Sequence, residues 1–422
     1  MSPPRSRIAV VGAGVSGLVA ADLLQRRHEV TLFEAEPRPG GHTHTCEVDD
    51  PAGRLAVDTG FIVFNERNYP LFTRLLAELG IESQPTDMTF SVRDDRSGLE
   101  WTGSDSLNQV FGQRRNLLRP AFWRMLADIL RFGREAEAVI DEPDDTRSVL
   151  EFARARGYGP LFVDSYLLPM GASLWSCPTR RFGDFPIRFV AEFMQQHALL
   201  QIHGRPQWRT IRGGSRRYVD ALLERFGGTL RLGTPIHSVR RRPERVELTT
   251  DTTESFDEVV LACHADQALA LLGDDADRLE RSVLAAFPYQ ENEAILHCDE
   301  RVLPRTRRCW AAWNHRARTD GADRTAVSVS YNMNILQRLP AQRTWSVTLN
   351  DDADIDPERI ARRIRYSHPL YTSGRAAAQA RHPELTRRNR TSFCGAYWGY
   401  GFHEDGVRSG VAVARAFGIE GP

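Results

Sequence analysis

The 422-residue sequence predicts an α/β protein in which a Rossmann-type domain carries an inserted α+β domain. Three observations predict it. An apolar strand, Ile8 to Val11, runs into Gly12-x-Gly14-x-x-Gly17, a helix over Ser16 to Arg27 and a second strand ending in Glu34. Residues 91–204 carry helical apolar spacing, and residues 266–389 carry short strand-like runs. The first unit is a dinucleotide fingerprint. Gly12 permits the tight turn, Gly14 lets a pyrophosphate approach the backbone, and Gly17 lets the helix lie close to the sheet. The helix start, with Val15 and Ser16, offers N–H groups and the positive end of a dipole. Glu34, followed by Ala35, stands at the spacing where a carboxylate accepts ribose hydroxyls, which disfavours a 2'-phosphate.

A second glycine pair follows in Gly40-Gly41-His42-Thr43, placed to bring backbone N–H groups to the same pyrophosphate from the other side. Next come Val57-Asp58-Thr59-Gly60-Phe61-Ile62-Val63 and a helix over Asn68 to Gly80. Near the C-terminus stand Phe393-Cys394-Gly395-Ala396-Tyr397 and Gly401 to Gly410. In these segments the sequence resembles the amine oxidase-like FAD-dependent oxidoreductases. The resemblance implies FAD held by Gly12, Gly14, Val15, Ser16, Gly17, Glu34, Ala35, Gly40, Gly41, His42, Thr43, Thr59, Gly60, Phe61 and Ile62. It extends the site to Ile236, in a strand over Gly233 to Val239, and to Ala396, Tyr397 and Asp405. The N–H groups of Gly406 and Val407 are expected to open a helix under the flavin pyrimidine ring. Cys394 does not stand where covalently attached members carry their thioether cysteine, which implies non-covalent FAD.

The FAD segments are discontinuous: 1–90, 205–265 and 390–422 form the cofactor domain, and 91–204 with 266–389 form a substrate domain. Helices are expected over Ser106 to Phe111, Pro120 to Ala138, Arg147 to Arg156, Gly159 to Leu168 and Phe185 to Leu200. Strands are expected over Glu293 to Cys298, Cys309 to Trp313, Ala326 to Tyr331 and Thr344 to Leu349. Asp141 to Asp145 is an acidic loop, and His264 is expected to cap or to lie on the surface.

Composition sets bounds. Formal net charge is zero, so nothing global steers nucleic acid toward the chain. All 55 basic residues are arginine. Six cysteines lack CxxC or metal-ligand spacing, so no metal is expected. No run reaches the ~18 apolar residues a membrane helix needs. A cytoplasmic protein, peripheral at the inner membrane face, is expected; its contact would be 113–132, where arginines interleave with Phe122, Trp123, Met125, Leu126, Ile129 and Leu130.

Within the superfamily the sequence is most similar to bacterial flavin-dependent methyl fatty acyl desaturases of furan fatty acid synthesis. The likeness includes Pro169 to Ser176, Trp208 to Tyr218, Trp310 to Asn314 and Tyr331 to Asn334. Two departures lead away from amines. The lysine that many amine oxidases use to hold a water at flavin N5 is absent, with Asn292 or Glu293 near its place, and Phe402 stands where a cage tyrosine is common. The resemblance implies dehydrogenation of a methyl-branched unsaturated acyl chain, phospholipid-linked, to a conjugated diene by hydride transfer to flavin N5, with oxygen or a quinone reoxidising the cofactor. Glu293, Tyr397 and His403 are candidate bases, and Trp175, Asn292, Tyr331 and Phe402 candidate substrate contacts. Oxidation of an amine or isoprenoid, and a non-catalytic FAD-containing lipid- or partner-binding protein, are the alternatives.

Overall fold

The computed structural model describes residues 5–142, 145–201, 204–318, 328–372 and 374–422. Strand β1 (Arg7–Val11) and strand β2 (Glu29–Phe33) flank helix α1 (Val15–Leu24), every residue of which is buried. They form the centre of a five-stranded parallel sheet, ordered 391–393, 258–261, β1, β2, 229–231. Strands from the start, middle and end of the chain therefore lie side by side. Apolar residues cover both faces, as a buried parallel sheet requires. Ile8, Val10, Leu18 and Val411 belong to the core on one face, and Ala9, Val11, Val259 and Phe393 to that on the other.

The last helix, His403–Ala416, lies on α1. A Cβ on Gly406 would stand 2.6 Å from Val15 Cγ1, and one on Gly410 2.6 Å from the Ser16 carbonyl oxygen. These two glycines let the helices touch. Strands β3 (Thr45–Asp50) and β4 (Gly53–Asp58) form a hairpin, and helix α2 (Pro70–Glu78) packs nearby. Asp58, fully buried, receives hydrogen bonds from Thr45 Oγ1 (2.6 Å), the Ser215 hydroxyl (2.8 Å) and backbone N–H (2.9 Å), and Gln337 Nε2 (3.0 Å). Burial pushes its carboxyl up to about 6 while Thr45 and Ser215 pull it back.

A seven-stranded sheet, ordered 360–369, 289–297, 346–349, 329–332, 313–317, 90–94, 99–103, forms the second layer. It is antiparallel except where 313–317 runs with 90–94. Helices Pro120–Ile140, Val149–Ala155, Leu168–Trp175 and Ile187–Gln196 roof it. The predicted helix over Gly159 to Leu168 instead begins as a single turn at Pro160–Phe162, widens to a π turn over Val163–Leu167 and continues to Trp175. Pro169 has no N–H to give the Ser165 carbonyl. Trp101 Nε1 donates to that carbonyl instead, at 3.0 Å.

The strand expected over Cys309 to Trp313 lies further on, at Trp313–Ala317, because Arg307–Cys309 is a 3-10 turn. Ala326 and Val327 of one predicted strand, and Pro143 and Asp144 of the acidic loop, lie outside the described residues. The segment expected as a strand from Gly233 pairs only from Ser238 to Arg241. Among the described residues no helix is long and apolar enough to cross a membrane.

Candidate functional site

The site is built where β1 ends. Gly12 sits at φ +105° with its N–H on the Phe33 carbonyl (2.8 Å). A Cβ on Gly17 would stand 1.9 Å from the Gly12 carbonyl oxygen, whereas one on Gly14 would meet nothing within 4 Å. The first closes the turn on the helix; the second faces open space. Gly14 starts α1 without a side-chain cap, so the first-turn N–H groups at Val15, Ser16 and Gly17 are presented to that space. The second glycine pair docks against the first turn: Gly40 N–H donates to the Ala13 carbonyl (2.7 Å), and a Cβ on Gly41 would lie 3.2 Å from Gly14 Cα. Gly40 is thereby a strut, and the groups left to face a pyrophosphate belong to Gly41 and His42.

Glu34 accepts from the N–H groups of Ala13 (2.8 Å) and Glu36 (3.0 Å), one on each oxygen. A carboxylate has about four acceptor sites, so two remain for ribose hydroxyls. The Thr234 N–H donates to the Glu34 carbonyl (2.9 Å), which brings half-buried Ile236 toward the end of β2, while Ala35 points to solvent. An uncapped helix start, an open glycine and a half-used carboxylate suit a dinucleotide with a pyrophosphate.

The last helix requires a correction. It begins at His403, one turn before Gly406, and the Gly406 N–H is already spent on the Phe402 carbonyl (3.2 Å). Gly406 and Val407 pack on α1 and do not offer N–H groups; those of His403 and Glu404 precede the first complete turn. Asp405 is likewise a brace, its Oδ2 accepting from the N–H groups of Tyr400 (2.9 Å) and Phe402 (3.0 Å).

Two of the three candidate bases are excluded by position. Glu293 turns outward and pairs with Arg363 at 2.9 Å. His403 is buried, stacked on Phe61 with centroids 3.4 Å apart, its Nε2 shared between Tyr218 (2.8 Å) and Thr43 (3.0 Å), and burial drives it down to about 3. Tyr397 is buried against Phe287 and Trp398, and its hydroxyl completes no hydrogen bond. Burial raises it well above the usual tyrosine value.

Alternation along Tyr289–His297 turns Asn292 inward, opposite Glu293. The strand paired with it, Ile360–Pro369, went unforeseen and supplies Tyr366 and His368 to the same inner wall. His42 stacks on Tyr366 (4.9 Å) and stands 5.3 Å from His368 and 6.0 Å from His264, ring centre to ring centre. His264 is partly buried and stacks on Tyr289 (4.4 Å). Thr59 Oγ1 meets the Tyr366 hydroxyl at 3.0 Å.

A chain of donors fixes one tautomer in this wall. Backbone N–H of Glu293 donates to Asn350 Oδ1 (2.9 Å), so Asn350 Nδ2 donates to Asn292 Oδ1 (2.7 Å). Asn292 Nδ2 then faces His368 Nδ1 at 2.8 Å, which must accept. The proton of neutral His368 therefore sits on Nε2, and burial holds the ring neutral, down to about 4.

The predicted substrate residues divide. Trp175 packs with Tyr166, Leu167, Met170, Leu174, Phe182 and Met194 around an apolar gap too narrow to admit a water molecule. Phe402 stacks on Phe193 (5.2 Å), which in turn lies 4.8 Å from Trp175, so an aromatic chain joins those two. Tyr331 is buried edge-on to Trp313 in the seven-stranded sheet. Among the described residues no cluster of histidines, cysteines and acids suits a metal ion.

The family described as flavin containing amine oxidoreductase matches residues 15–328. A putative flavin-containing monoamine oxidase AofH of Mycobacterium tuberculosis is 27% identical over 267 residues, 58% of this chain and 53% of that protein. The chain spans about half the length of the curated relatives it matches. The crystal structure of a putative protoporphyrinogen oxidase from Exiguobacterium sp. 255-15 superposes with a TM-score of 0.68 at 18% identity, covering 98% of this chain and 99% of that one. A CLA-producing fatty acid isomerase from P. acnes gives 0.63 at 16% identity, covering 98% and 99%. With the fingerprint, the docked glycine pair and the closing helix in one cleft, the chain belongs to the flavin-containing amine oxidoreductase family, with FAD as its cofactor.

Proposed function

We propose that this protein dehydrogenates a methyl-branched unsaturated fatty acyl chain, carried on a phospholipid, to a conjugated diene. One observation carries the reading. The side chains packed around Trp175 carry no charge, and the sequence contains no lysine. A protonated amine pressed among these side chains would be stripped of water with no carboxylate to receive it, at a cost of several kcal/mol, whereas a hydrocarbon chain that parted them would gain by the same burial. Forming the new double bond removes two electrons and two hydrogens, and FAD, when bound, would supply the acceptor for both.

The chain's own residues bind and orient. The Trp175, Phe193 and Phe402 rings hold apolar substrate and exclude water, while Gly14, Gly41 and Glu34 hold the nucleotide end. A second reading, oxidation of an amine, is favoured by the name of the Mycobacterium tuberculosis relative. Anaerobic mixing of the flavin-loaded protein with a methyl-branched monoenoic phospholipid separates the two. Bleaching of the flavin, with a two-dalton loss in the lipid, is the expected result. Bleaching by polyamines or cyclohexylamine, and none by lipid, overturns the acyl reading.

A further inference from the structure

Six large apolar side chains are exposed among the described residues, and five of them fall within one stretch of 24 residues: Leu107, Leu117, Leu118, Trp123 and Leu130, at 45 to 88% exposure. The sixth, Leu232, lies elsewhere. Such concentration on an otherwise ordinary surface marks a contact site. Of the apolar residues anticipated for this role, Trp123 and Leu130 are exposed and Phe122 and Met125 are not. Phe122, Met125 and Phe132 are buried in the core and Asp128 faces inward with them. What projects is the turn before the helix and the helix's opposite side.

The turn's shape is fixed. Asn116 is buried and its Nδ2 donates to the Glu100 carbonyl (2.9 Å), so Leu117 and Leu118 are thrust outward on a 3-10 turn over Arg114–Leu118. Trp123 Nε1 bonds the Leu117 carbonyl (2.9 Å), which holds the indole beside the leucines. Arg114, Arg115, Arg119 and Arg124 accompany these side chains, and the one acid within 107–130 is buried Asp128, which stands 3.9 Å from Arg124. On a chain whose net charge is zero, this is a local basic and apolar surface. The patch is also continuous with the interior. Trp123 meets Phe111 (5.0 Å), Phe111 meets Phe122 (5.6 Å), Phe122 meets Trp101 (6.3 Å), and Trp101 meets Tyr166 (6.1 Å), one of the side chains packed around Trp175.

We infer that residues 107–130 form a docking surface for an anionic lipid bilayer, with Leu107, Leu117, Leu118 and Trp123 entering the interface and the arginines facing lipid phosphates. Charge complementarity selects this occupant: apolar tips alone suit any greasy partner, but four arginines against a single buried acid suit a negatively charged plane. The inference stands apart from the acyl reading because docking needs no turnover.

The test is flotation of the flavin-loaded full chain with vesicles of phosphatidylcholine alone or with 40% phosphatidylglycerol. Binding to the anionic vesicles at least tenfold tighter than to the neutral ones, weakened by salt, is expected. Leu117→Asp with Leu118→Asp should lower that partition at least tenfold. Arg115→Gln with Arg124→Gln should lower it about 30-fold. All four side chains are exposed, so unchanged thermal unfolding is the control for folding. Failure to float with anionic vesicles, or flotation indifferent to both double variants, overturns the inference. So does a dimer in light scattering that Leu118→Asp dissociates, since the patch would then be covered by a second copy.

Discussion

Gly14 separates binding of the nucleotide from folding of the domain. A methyl group added there meets no atom within 4 Å, and φ of −72° is ordinary for alanine, so Gly14→Ala should fold. The cost to the apo protein is the difference between glycine and alanine at a helix start, below about 1 kcal/mol. The methyl group occupies the space onto which the uncapped N–H groups of α1 open, and pushes a phosphate away from them. Losing one such charge-assisted hydrogen bond costs about 1.5–3 kcal/mol. FAD affinity should therefore fall about 10- to 100-fold. Gly17→Ala is the contrasting variant, because its methyl would lie 1.9 Å from the Gly12 carbonyl oxygen and the domain cannot close. The assay is a fluorescence-quenching titration of FAD into apo protein, paired with calorimetric unfolding of the same sample. Gly14→Ala binding FAD within threefold of the parent would refute the placement of the pyrophosphate.

Three further outcomes follow from the geometry. Nitrogen NMR of His368 should show the Nε2–H tautomer in the parent and loss of that preference in Asn292→Leu; an Nδ1–H parent would break the donor chain described above. His44, His197, His297, His315 and His368, held down to about 4, and His403, held down to about 3, are all lowered by burial. Because the folded values lie below the ordinary 6.5, this stability is complete above pH 6.5 and is lost as pH falls toward 4, at about 1 kcal/mol per histidine over the first unit. Asp58, raised to about 6 by burial, works the other way and relieves part of the loss below pH 6. The unfolding midpoint should drop by several degrees from pH 7 to 5.5, and a flat profile would contradict the burial of these rings. Finally, Glu404 accepts from the N–H groups of Leu71 (3.1 Å) and Phe72 (3.0 Å) and so caps α2 from the far end of the chain. Glu404→Ala should destabilise by about 1–2 kcal/mol, measured by denaturant unfolding.

The nucleotide half was legible because its signals are short-range. Strand, glycine turn, helix and acid fall within about thirty residues, and each glycine there answers a local steric demand. The opposite wall was not, because it depends on pairing at a distance. Ile360–Pro369 contains Arg362, Arg363 and Arg365, and such charge suits an edge strand but hides its alternation from a reading that seeks apolar residues. Period two does place Ile364, Tyr366 and His368 on one side, a signal present in the sequence. Asn292 and Glu293 are equivalent until Tyr366 and Arg365 are set across from them. The start of the last helix was placed late because the resemblance put the helix-opening N–H groups at Gly406 and Val407, whereas the missing side chain of Gly406 serves contact with α1.

The central sheet has a consequence for biosynthesis. β1 has as one neighbour the strand Glu258–Leu261, whose outer neighbour is Thr391–Phe393, and α1 lies under a helix ending at Ala416. A nascent chain carrying the whole glycine fingerprint still lacks most of what shields it, and at about 5–20 residues per second the ribosome takes at least about ten seconds to supply the rest. During that interval Ile8, Val10 and Leu18 are greasy and uncovered. Cofactor loading should accordingly be post-translational, and truncation a few residues before Thr391 should yield an aggregate rather than a smaller flavoprotein.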